Sequence, residues 1–223
     1  LLETANLAES KKYVAIEPIA GVTSNTTIVK KEGKIDFFNH MKAIRANIGL
    51  DKTLHVQVVA QDVAGIVADA HAILANIDKE VYVKVPVNEN GLAAIKLLKK
   101  EGVKITATAV YTKFQAYLAV AAGSDYIAPY FNRMENLNIN PVDLITELAR
   151  EIERTGSTSK ILAASFKNVG QVNAALEAGA QASTFGVDIL VSALAMPSIN
   201  KAVVDFTADW ETSFGEGTTI TSL

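Results

Sequence analysis

A lysine lies in the middle of one of the most apolar stretches of the chain, Val81–Val87. A strand of mostly β-branched and aromatic residues is typical of the buried strands of parallel sheets. Burial disfavours the charged form of Lys84 and can lower its pKa by ~3–5 units, which leaves a neutral amine that can attack a carbonyl. A lone lysine in a strand is more often an edge residue in solvent. The interpretation of Lys84 as an imine-forming residue therefore depends on its polar neighbours.

Polar side chains lie in or just after most of the other predicted strands. If the fold is a parallel barrel, the carboxyl ends of these strands form the active site. Any one of these residues could be structural, since threonine favours strands and Gln57 could be a satisfied core amide. Their occurrence on nearly every strand favours a shared site. The set is Glu3, Thr23, Ser24, Asn25, Gln57, Thr106, Thr108, Tyr130, Asn132, Arg133, Ser165 and Lys167.

A Schiff-base mechanism needs a neutral amine, a proton carrier and groups that orient sugar hydroxyls. Lys84 supplies the amine. Tyr130 could transfer protons directly, or it could hold a water molecule for that purpose together with Gln57 and Thr108. A tyrosine at an interface with its hydroxyl in solvent is the alternative for Tyr130.

Arg133 has the planar set of donors that suits a phosphate group. In barrels of this kind the phosphate site commonly lies in the loops after strands seven and eight, where Ser165, Lys167 and the backbone N–H groups of the next helix are expected. A surface salt bridge is the alternative for Arg133 and Lys167, and we prefer it for Lys167.

The histidines indicate no metal site. His40 and His71 lie in helical patterns, and His55 has no acidic or histidine partner at ligand spacing. The chain has no cysteine, which excludes disulfides, zinc-thiolate sites and thiol catalysis. We therefore expect neither a metal nor another cofactor.

Composition limits the range of partners. The 223 residues are 49% hydrophobic with a formal net charge of −3, which is sufficient for one globular domain with a full core. No basic cluster alternates with aromatic residues, and no apolar stretch approaches the ~18 residues that a membrane span requires. We expect no nucleic-acid or membrane partner, and the absence of cysteine fits the cytosol. Small molecules and further copies of the chain remain as partners.

The elements that would position these residues alternate regularly between apolar runs and amphipathic segments. The predicted strands are Leu1–Glu3, Ile19–Thr23, Leu54–Val59, Val81–Val87, Val103–Val110, Tyr126–Tyr130, Lys160–Phe166 and Ala182–Phe185. The predicted helices between them are Asn6–Tyr13, Ile35–Ile48, Val63–Ile77, Gly91–Lys100, Thr112–Ala122, Pro141–Glu153, Val169–Ala178 and Val187–Leu194. Strict alternation predicts a (β/α)₈ TIM barrel. An open doubly wound sheet is the alternative, weakened by the absence of a Gly-x-Gly-x-x-Gly motif.

A ninth helix is expected after the barrel. Apolar residues recur at helical spacing from Ile199 to Phe214 and include Trp210. We therefore divide the chain into a catalytic barrel, residues 1–196, and a C-terminal helix with a tail, residues 197–223. This helix could fold back on its own subunit, but we favour packing on a neighbouring subunit.

At the residues named above, the chain resembles the small transaldolase family, and within it the fructose-6-phosphate aldolase branch. The similarity covers nearly the whole chain, and its motifs are specific in combination. The matching segments are Ala20–Asn25, His55–Val58, Val81–Val87, Gly91–Lys96, Ile105–Val110, Ala128–Arg133 and Ile161–Lys167.

The resemblance implies a role for most of the candidate residues. Lys84 matches the imine-forming lysine, and Tyr130, Gln57 and Thr108 match the group that transfers protons and holds water. Glu3, which completes our catalytic set, stands where the family usually has an aspartate at the end of strand one. The remaining matches are substrate contacts, with Asn25 as an orienting amide and Arg133 and Ser165 as phosphate contacts; Thr23 and Asn132 complete our binding set.

Two positions distinguish the branches. Transaldolases of the family tend to carry glutamate where this chain has Gln57 and phenylalanine where it has Tyr130. Both differences favour an aldolase that cleaves fructose 6-phosphate to dihydroxyacetone and glyceraldehyde 3-phosphate. The alternative is a transaldolase that transfers the dihydroxyacetone unit. The resemblance also implies a pentamer or decamer with a swapped C-terminal helix. Glu3 and Thr26, which replaces a usual proline, depart from the family pattern.

Overall fold

Eight parallel strands form one sheet in which each strand pairs with the next in chain order. The computed structural model describes residues 1–223. The strands are β1 (Leu2–Glu3), β2 (Gly21–Thr23), β3 (Thr53–Gln57), β4 (Tyr82–Pro86), β5 (Ile105–Val110), β6 (Tyr126–Pro129), β7 (Lys160–Ala163) and β8 (Ala182–Ser183). Each overlaps the strand predicted from its apolar run. The order with helical connections is the βαβ arrangement expected from the alternating pattern.

The two edges of the sheet approach each other. Leu2 forms a parallel bridge with Phe185, the second residue after β8. The Glu3 N–H donates to the Phe185 carbonyl over 2.8 Å, and the Phe185 N–H donates to the Leu1 carbonyl over 3.3 Å. The sheet is thus strongly curled, which is consistent with a TIM barrel.

Eleven α-helices accompany the strands. They are α1 (Leu7–Ile16), α2 (Thr26–Lys31), α3 (Phe37–Ile48), α4 (Val63–Asn76), α5 (Glu89–Lys100), α6 (Lys113–Ala121), α7 (Phe131–Asn136), α8 (Pro141–Thr155), α9 (Val169–Glu177), α10 (Val187–Leu194) and α11 (Pro197–Phe214). Eight of them begin after an Asn, Asp or Thr whose side chain accepts a hydrogen bond from a backbone N–H of the first turn. These caps fix where the helices start.

Two of these helices, α2 and α7, were not predicted. Each has six residues and follows directly after a strand whose end carries candidate site residues. Fewer than two turns cannot show the 3.6-residue period on which a prediction of a helix depends. The sequence pattern therefore missed two helices that begin at the site.

The apolar core lies between the sheet and the helices that cover it. In α8, for example, Leu144, Ile145, Leu148 and Ile152 are buried, at the spacing of one helical face. These residues belong to one continuous cluster with the buried residues of the strands. Close packing of this kind restricts movement of the strand ends that carry the candidate residues.

The last helix is different, because α11 has no buried residue. Val203 and Phe206 are 60% and 71% exposed, and Trp210 stacks on Phe214 with ring centroids 4.2 Å apart.

No single helix is long and apolar enough to cross a membrane. The bent pair α10 and α11, at 45° to each other, satisfies the length and composition requirement only when the two are taken together.

Candidate active site

Lys84 is the third residue of β4, and it is buried, with 4% of its surface exposed. Its Nζ donates a hydrogen bond of 2.8 Å to the carbonyl of Ser24, the residue after β2. Because β3 lies between β4 and β2, the side chain must extend across the concave face of the curled sheet. Desolvation lowers the pKa of this amine from 10.5 to about 8, with the Glu3 carboxylate acting in the opposite direction.

Glu3, at the end of β1, is the acidic group of the site. Its Oε1 accepts a hydrogen bond of 3.2 Å from Asn25 Nδ2. Burial raises the pKa of Glu3, and the charges of Lys84, Arg133 and Lys31 oppose this increase. The carboxylate therefore lies within electrostatic reach of both the β4 amine and the guanidinium that follows β6.

Tyr130 and Thr108 form a hydroxyl pair. The two oxygens are 2.9 Å apart and belong to the ends of β6 and β5. Burial raises the pKa of Tyr130, so the phenol stays protonated at neutral pH. A shift in the pairing register between Ala107 and Val110, with φ of +57° at Ala109, turns the end of β5 at this point. Irregularities of this type often redirect a side chain beside an active site.

Gln57 lies at the end of β3, opposite Lys84 in the strand pairing. Its Oε1 is buried and has no hydrogen-bond partner. A buried acceptor without a partner costs roughly 1–3 kcal/mol, so this atom marks a position for a water molecule or a substrate hydroxyl. A cavity of about 240 Å³ adjoins it and is also lined by Ser24, Asn25 and Thr26.

Arg133 and Ser165 lie close together after β6 and β7. The Asn132 N–H donates to the Ser165 carbonyl over 2.9 Å, which joins the start of α7 to the segment after β7. The guanidinium carbon of Arg133 is 4.8 Å from the ring centroid of Tyr130. Ser165 has a φ of +63°, a left-handed conformation that is strained for serine. Arg133 is in none of the ion pairs, so its charge remains available.

Three candidate side chains are already engaged within the protein. The hydroxyl of Thr23 lies 2.6 Å from that of Thr184 in the interior. Asn25 Oδ1 accepts from the Ile28 N–H and caps α2, which leaves its amide group for Glu3 and one further acceptor. The Asn132 side-chain oxygen accepts from Gln171 Nε2 over 3.1 Å and so is turned toward α9.

Two other expectations need correction. Lys167 is exposed and forms no ion pair, so the salt bridge preferred for it from the sequence is wrong. Thr106 does not belong with the strand-end hydroxyls, because its Oγ1 lies 2.8 Å from Nδ1 of the buried His55. That pair lies deeper, toward the amino ends of the strands.

The family model described as "Transaldolase/Fructose-6-phosphate aldolase" matches residues 1–219. The chain belongs to this family. A protein of Streptococcus pneumoniae (strain ATCC 700669 / Spain 23F-1) named "Probable fructose-6-phosphate aldolase" is 58% identical to it over 210 residues, which are 94% of this chain and 95% of that protein. The resemblance inferred from the sequence is thus confirmed, and the protein is an enzyme of the aldolase and transaldolase type.

For a member of the transaldolase and fructose-6-phosphate aldolase family, the arrangement offers three chemical functions in one place. The Lys84 amine is buried, the Tyr130 phenol and the Thr108 hydroxyl are hydrogen bonded to each other, and the Arg133 guanidinium lies over the Tyr130 ring without an ion-pair partner. These groups come from β4, β5, β6 and the start of α7. Parallel pairing brings the ends of these strands to one edge of the sheet.

Sequence reasoning missed Tyr111, which is the first residue after β5. Its hydroxyl oxygen accepts a hydrogen bond of 3.3 Å from Arg133 Nη1. The same rule that selected the other candidates, a polar residue directly after a strand, applies to it.

Proposed function

We propose that this chain is a class I aldolase that cleaves fructose 6-phosphate to dihydroxyacetone and glyceraldehyde 3-phosphate, and catalyses the reverse addition. The observation that carries the proposal is the Lys84 amine, which is buried on the concave face of the sheet with its pKa lowered to about 8. An amine with this pKa is neutral in about a tenth of the molecules at pH 7, far more than an unshifted lysine, and imine formation requires the neutral form. The name of the pneumococcal relative supports the choice of substrate.

Lys84 Nζ attacks the C2 carbonyl, and the resulting carbinolamine loses water to give an iminium ion. Removal of the proton from the C4 hydroxyl then breaks the C3–C4 bond, and the bonding electrons move into the imine to form an enamine. We assign the proton transfers to Tyr130 with Thr108, either directly or through a water molecule held with Gln57. Protonation of C3 and hydrolysis of the iminium ion release dihydroxyacetone and restore Lys84.

We assign Glu3 to the catalytic set, where its carboxylate orients donor hydroxyls beside Lys84. The remaining residues are assigned to substrate binding. Asn25 is placed to orient the donor with Glu3, and Thr23 and Asn132 support the walls of the pocket. Arg133 and Ser165 are placed to hold the phosphate of the aldehyde product, because a guanidinium with several free donors suits a dianion. No metal or other cofactor is required for these steps.

We further propose that residues 1–196 form a closed (β/α)₈ barrel and that residues 197–223 pack on a neighbouring copy in a pentamer or decamer. The hydrogen bonds between β1 and the segment after β8 support closure. The exposed apolar residues of α11 support packing against a neighbouring protein surface.

The proposed chemistry is tested by trapping the imine. The protein is incubated with dihydroxyacetone and borohydride, and its intact mass and peptide map are measured. We expect one three-carbon adduct per chain, on Lys84, and none in Lys84→Met. Adducts on other lysines, or none at all, would refute an imine mechanism. Sugar-phosphate binding that persists without turnover in both proteins would indicate a non-catalytic binding barrel.

A transaldolase is the second candidate, because the family includes both activities. Release of glyceraldehyde 3-phosphate from fructose 6-phosphate is measured with and without erythrose 4-phosphate. An aldolase releases the product without the acceptor. Release that depends on the acceptor would establish transfer in place of cleavage.

A further inference from the structure

The guanidinium of Arg133 is held on two sides by tyrosines. It lies over the ring of Tyr130, and its Nη1 donates to the hydroxyl of Tyr111. The two rings meet edge to face, with centroids 5.6 Å apart and planes at 72°. Such contacts restrict an arginine that is otherwise exposed to solvent. These contacts favour the observed orientation of the arginine before any ligand binds.

The position of Tyr111 is fixed in turn by Gln115, at the start of α6. Gln115 Oε1 accepts from the Tyr111 N–H over 3.0 Å and from the Thr112 N–H over 3.2 Å. Its Nε2 donates to the carbonyl of Val87 over 2.7 Å and to that of Ala109 over 3.3 Å. One side chain thus links the chain segments that follow β4 and β5, and it holds the backbone of Tyr111 against both.

Arg133 has donors to spare in this orientation. Its hydrogen bond to Tyr111 uses one of five N–H donors, and the others have no partner. The free donors face no carboxylate at ion-pair distance. An arginine that is oriented by neighbouring tyrosines and has no anionic partner is suited to an anionic ligand, because part of the ordering cost is met before binding.

We propose that Tyr111 is a positioning residue that orients Arg133 and thereby sets the preference of the enzyme for phosphorylated over unphosphorylated aldehydes. The inference rests on the aldolase function proposed above and adds to it the residue that determines acceptor selectivity. The Tyr111 hydroxyl touches neither the amine nor the reacting carbons in this scheme. Its removal should affect recognition of the phosphate and leave the chemical step unchanged.

The test compares two acceptors, glyceraldehyde 3-phosphate and glyceraldehyde, at saturating dihydroxyacetone. Tyr111→Phe keeps the ring contact with Tyr130 and removes only the hydroxyl. We expect the KM for the phosphorylated acceptor to rise by roughly three- to tenfold, a moderate change because Arg133 is partly exposed. The KM for glyceraldehyde and both kcat values should stay within about twofold. Inhibition by inorganic phosphate should weaken by the same factor as the KM for the phosphorylated acceptor.

Two further variants make the result specific. Tyr117→Phe, on α6, removes a phenolic hydroxyl that has no hydrogen-bond partner, and it should change neither KM. Arg133→Gln should raise the KM for the phosphorylated acceptor more strongly, and Tyr111→Phe should add nothing further in the double variant, because Tyr111 acts through Arg133. Equal effects of Tyr111→Phe on both acceptors, or additive effects in the double variant, would overturn the proposal. If the unaltered protein adds dihydroxyacetone to neither aldehyde, the proposed function itself fails.

Discussion

Two sets of polar side chains, one toward each end of the strands, differ in how fully they are hydrogen bonded within the protein. Toward the amino ends of the strands, both ring nitrogens of His55 are bonded, to Thr106 over 2.8 Å and to Thr53 over 3.0 Å. The imidazole also stacks on Tyr82 and meets the edge of Tyr126. We call these five residues the amino-end layer. Toward the carboxyl ends, Lys84 has one partner, Gln57 Oε1 has none and Arg133 keeps most of its donors free.

The comparison shows that hydrogen bonding distinguishes structural polar residues from reactive ones more clearly than residue type does. A histidine is the more usual catalytic residue, yet here every polar atom of its ring is used within the protein. Burial lowers the pKa of His55 well below 6.5, and the nearby Lys84 lowers it further, so the ring is neutral. The carboxyl-end groups are incompletely satisfied, and such groups are where a ligand gains binding energy. Reactivity is therefore expected at one end of the face and stability at the other.

The largest expected effect on activity is that of Lys84→Met. Loss of the nucleophile should reduce cleavage of fructose 6-phosphate by about a thousandfold or more. Stability should change little, because methionine has a similar volume and removes the cost of burying an amine, and this gain offsets the loss of the hydrogen bond to the Ser24 carbonyl. Activity assays and thermal unfolding on the same samples measure both. A protein that unfolds more readily after this substitution would mean that the amine is structurally satisfied, as His55 is.

A smaller effect on activity is expected for Tyr130→Phe. The substitution removes the hydroxyl bonded to Thr108 and keeps the ring beneath Arg133, so kcat for cleavage should fall by about a hundredfold through loss of proton transfer. Trapping of dihydroxyacetone on Lys84 by borohydride should continue. Thr108→Val is the companion variant, and its effect should be weaker because the phenol remains. Unchanged kcat in Tyr130→Phe would assign the proton transfers to another group.

The strands and long helices were predictable because local patterns encode them, whereas the site was only partly so. Apolar runs such as Val81–Val87 mark buried strands, and Asn or Asp caps mark helix starts. Whether a polar side chain has a hydrogen-bond partner depends on contacts between segments that are distant in the sequence. The partners of Thr23 and Asn132, which are Thr184 and Gln171, lie far from them along the chain. No pattern in the sequence could distinguish these engaged groups from the free ones.

The pH dependence of catalysis follows from the pKa of Lys84, which burial lowers to about 8. Below that pH the amine of the free enzyme is protonated, so kcat/KM for fructose 6-phosphate should fall by about tenfold per pH unit. Glu3→Gln removes the charge that raises this pKa and should move the midpoint to lower pH. Rate profiles between pH 5 and 9 measure both. If the midpoint of the pH–rate profile is the same in Glu3→Gln, the carboxylate and the amine do not interact.

The smallest effect on catalysis is expected for His55→Leu, which tests the amino-end layer. Leucine leaves the hydroxyls of Thr53 and Thr106 without their partner, so the free energy of unfolding should fall by about 1–3 kcal/mol. The rate per folded molecule should change by no more than about twofold, since the ring is uncharged and remote from the reacting carbons. Denaturant unfolding and the kinetics of the soluble fraction provide the two measurements.

The same variant has a signature in the pH dependence of stability. In the unaltered protein the unfolded chain binds a proton at His55 below about pH 6.5, whereas the folded chain does not, because burial lowers that pKa. Stability contributed by the neutral ring should therefore be present above pH 6.5 and be lost as the pH falls below it. His55→Leu should lack this part of the pH dependence of the unfolding free energy. A large loss of kcat in His55→Leu with an unchanged free energy of unfolding would mean that the amino-end layer takes part in catalysis and does not serve stability.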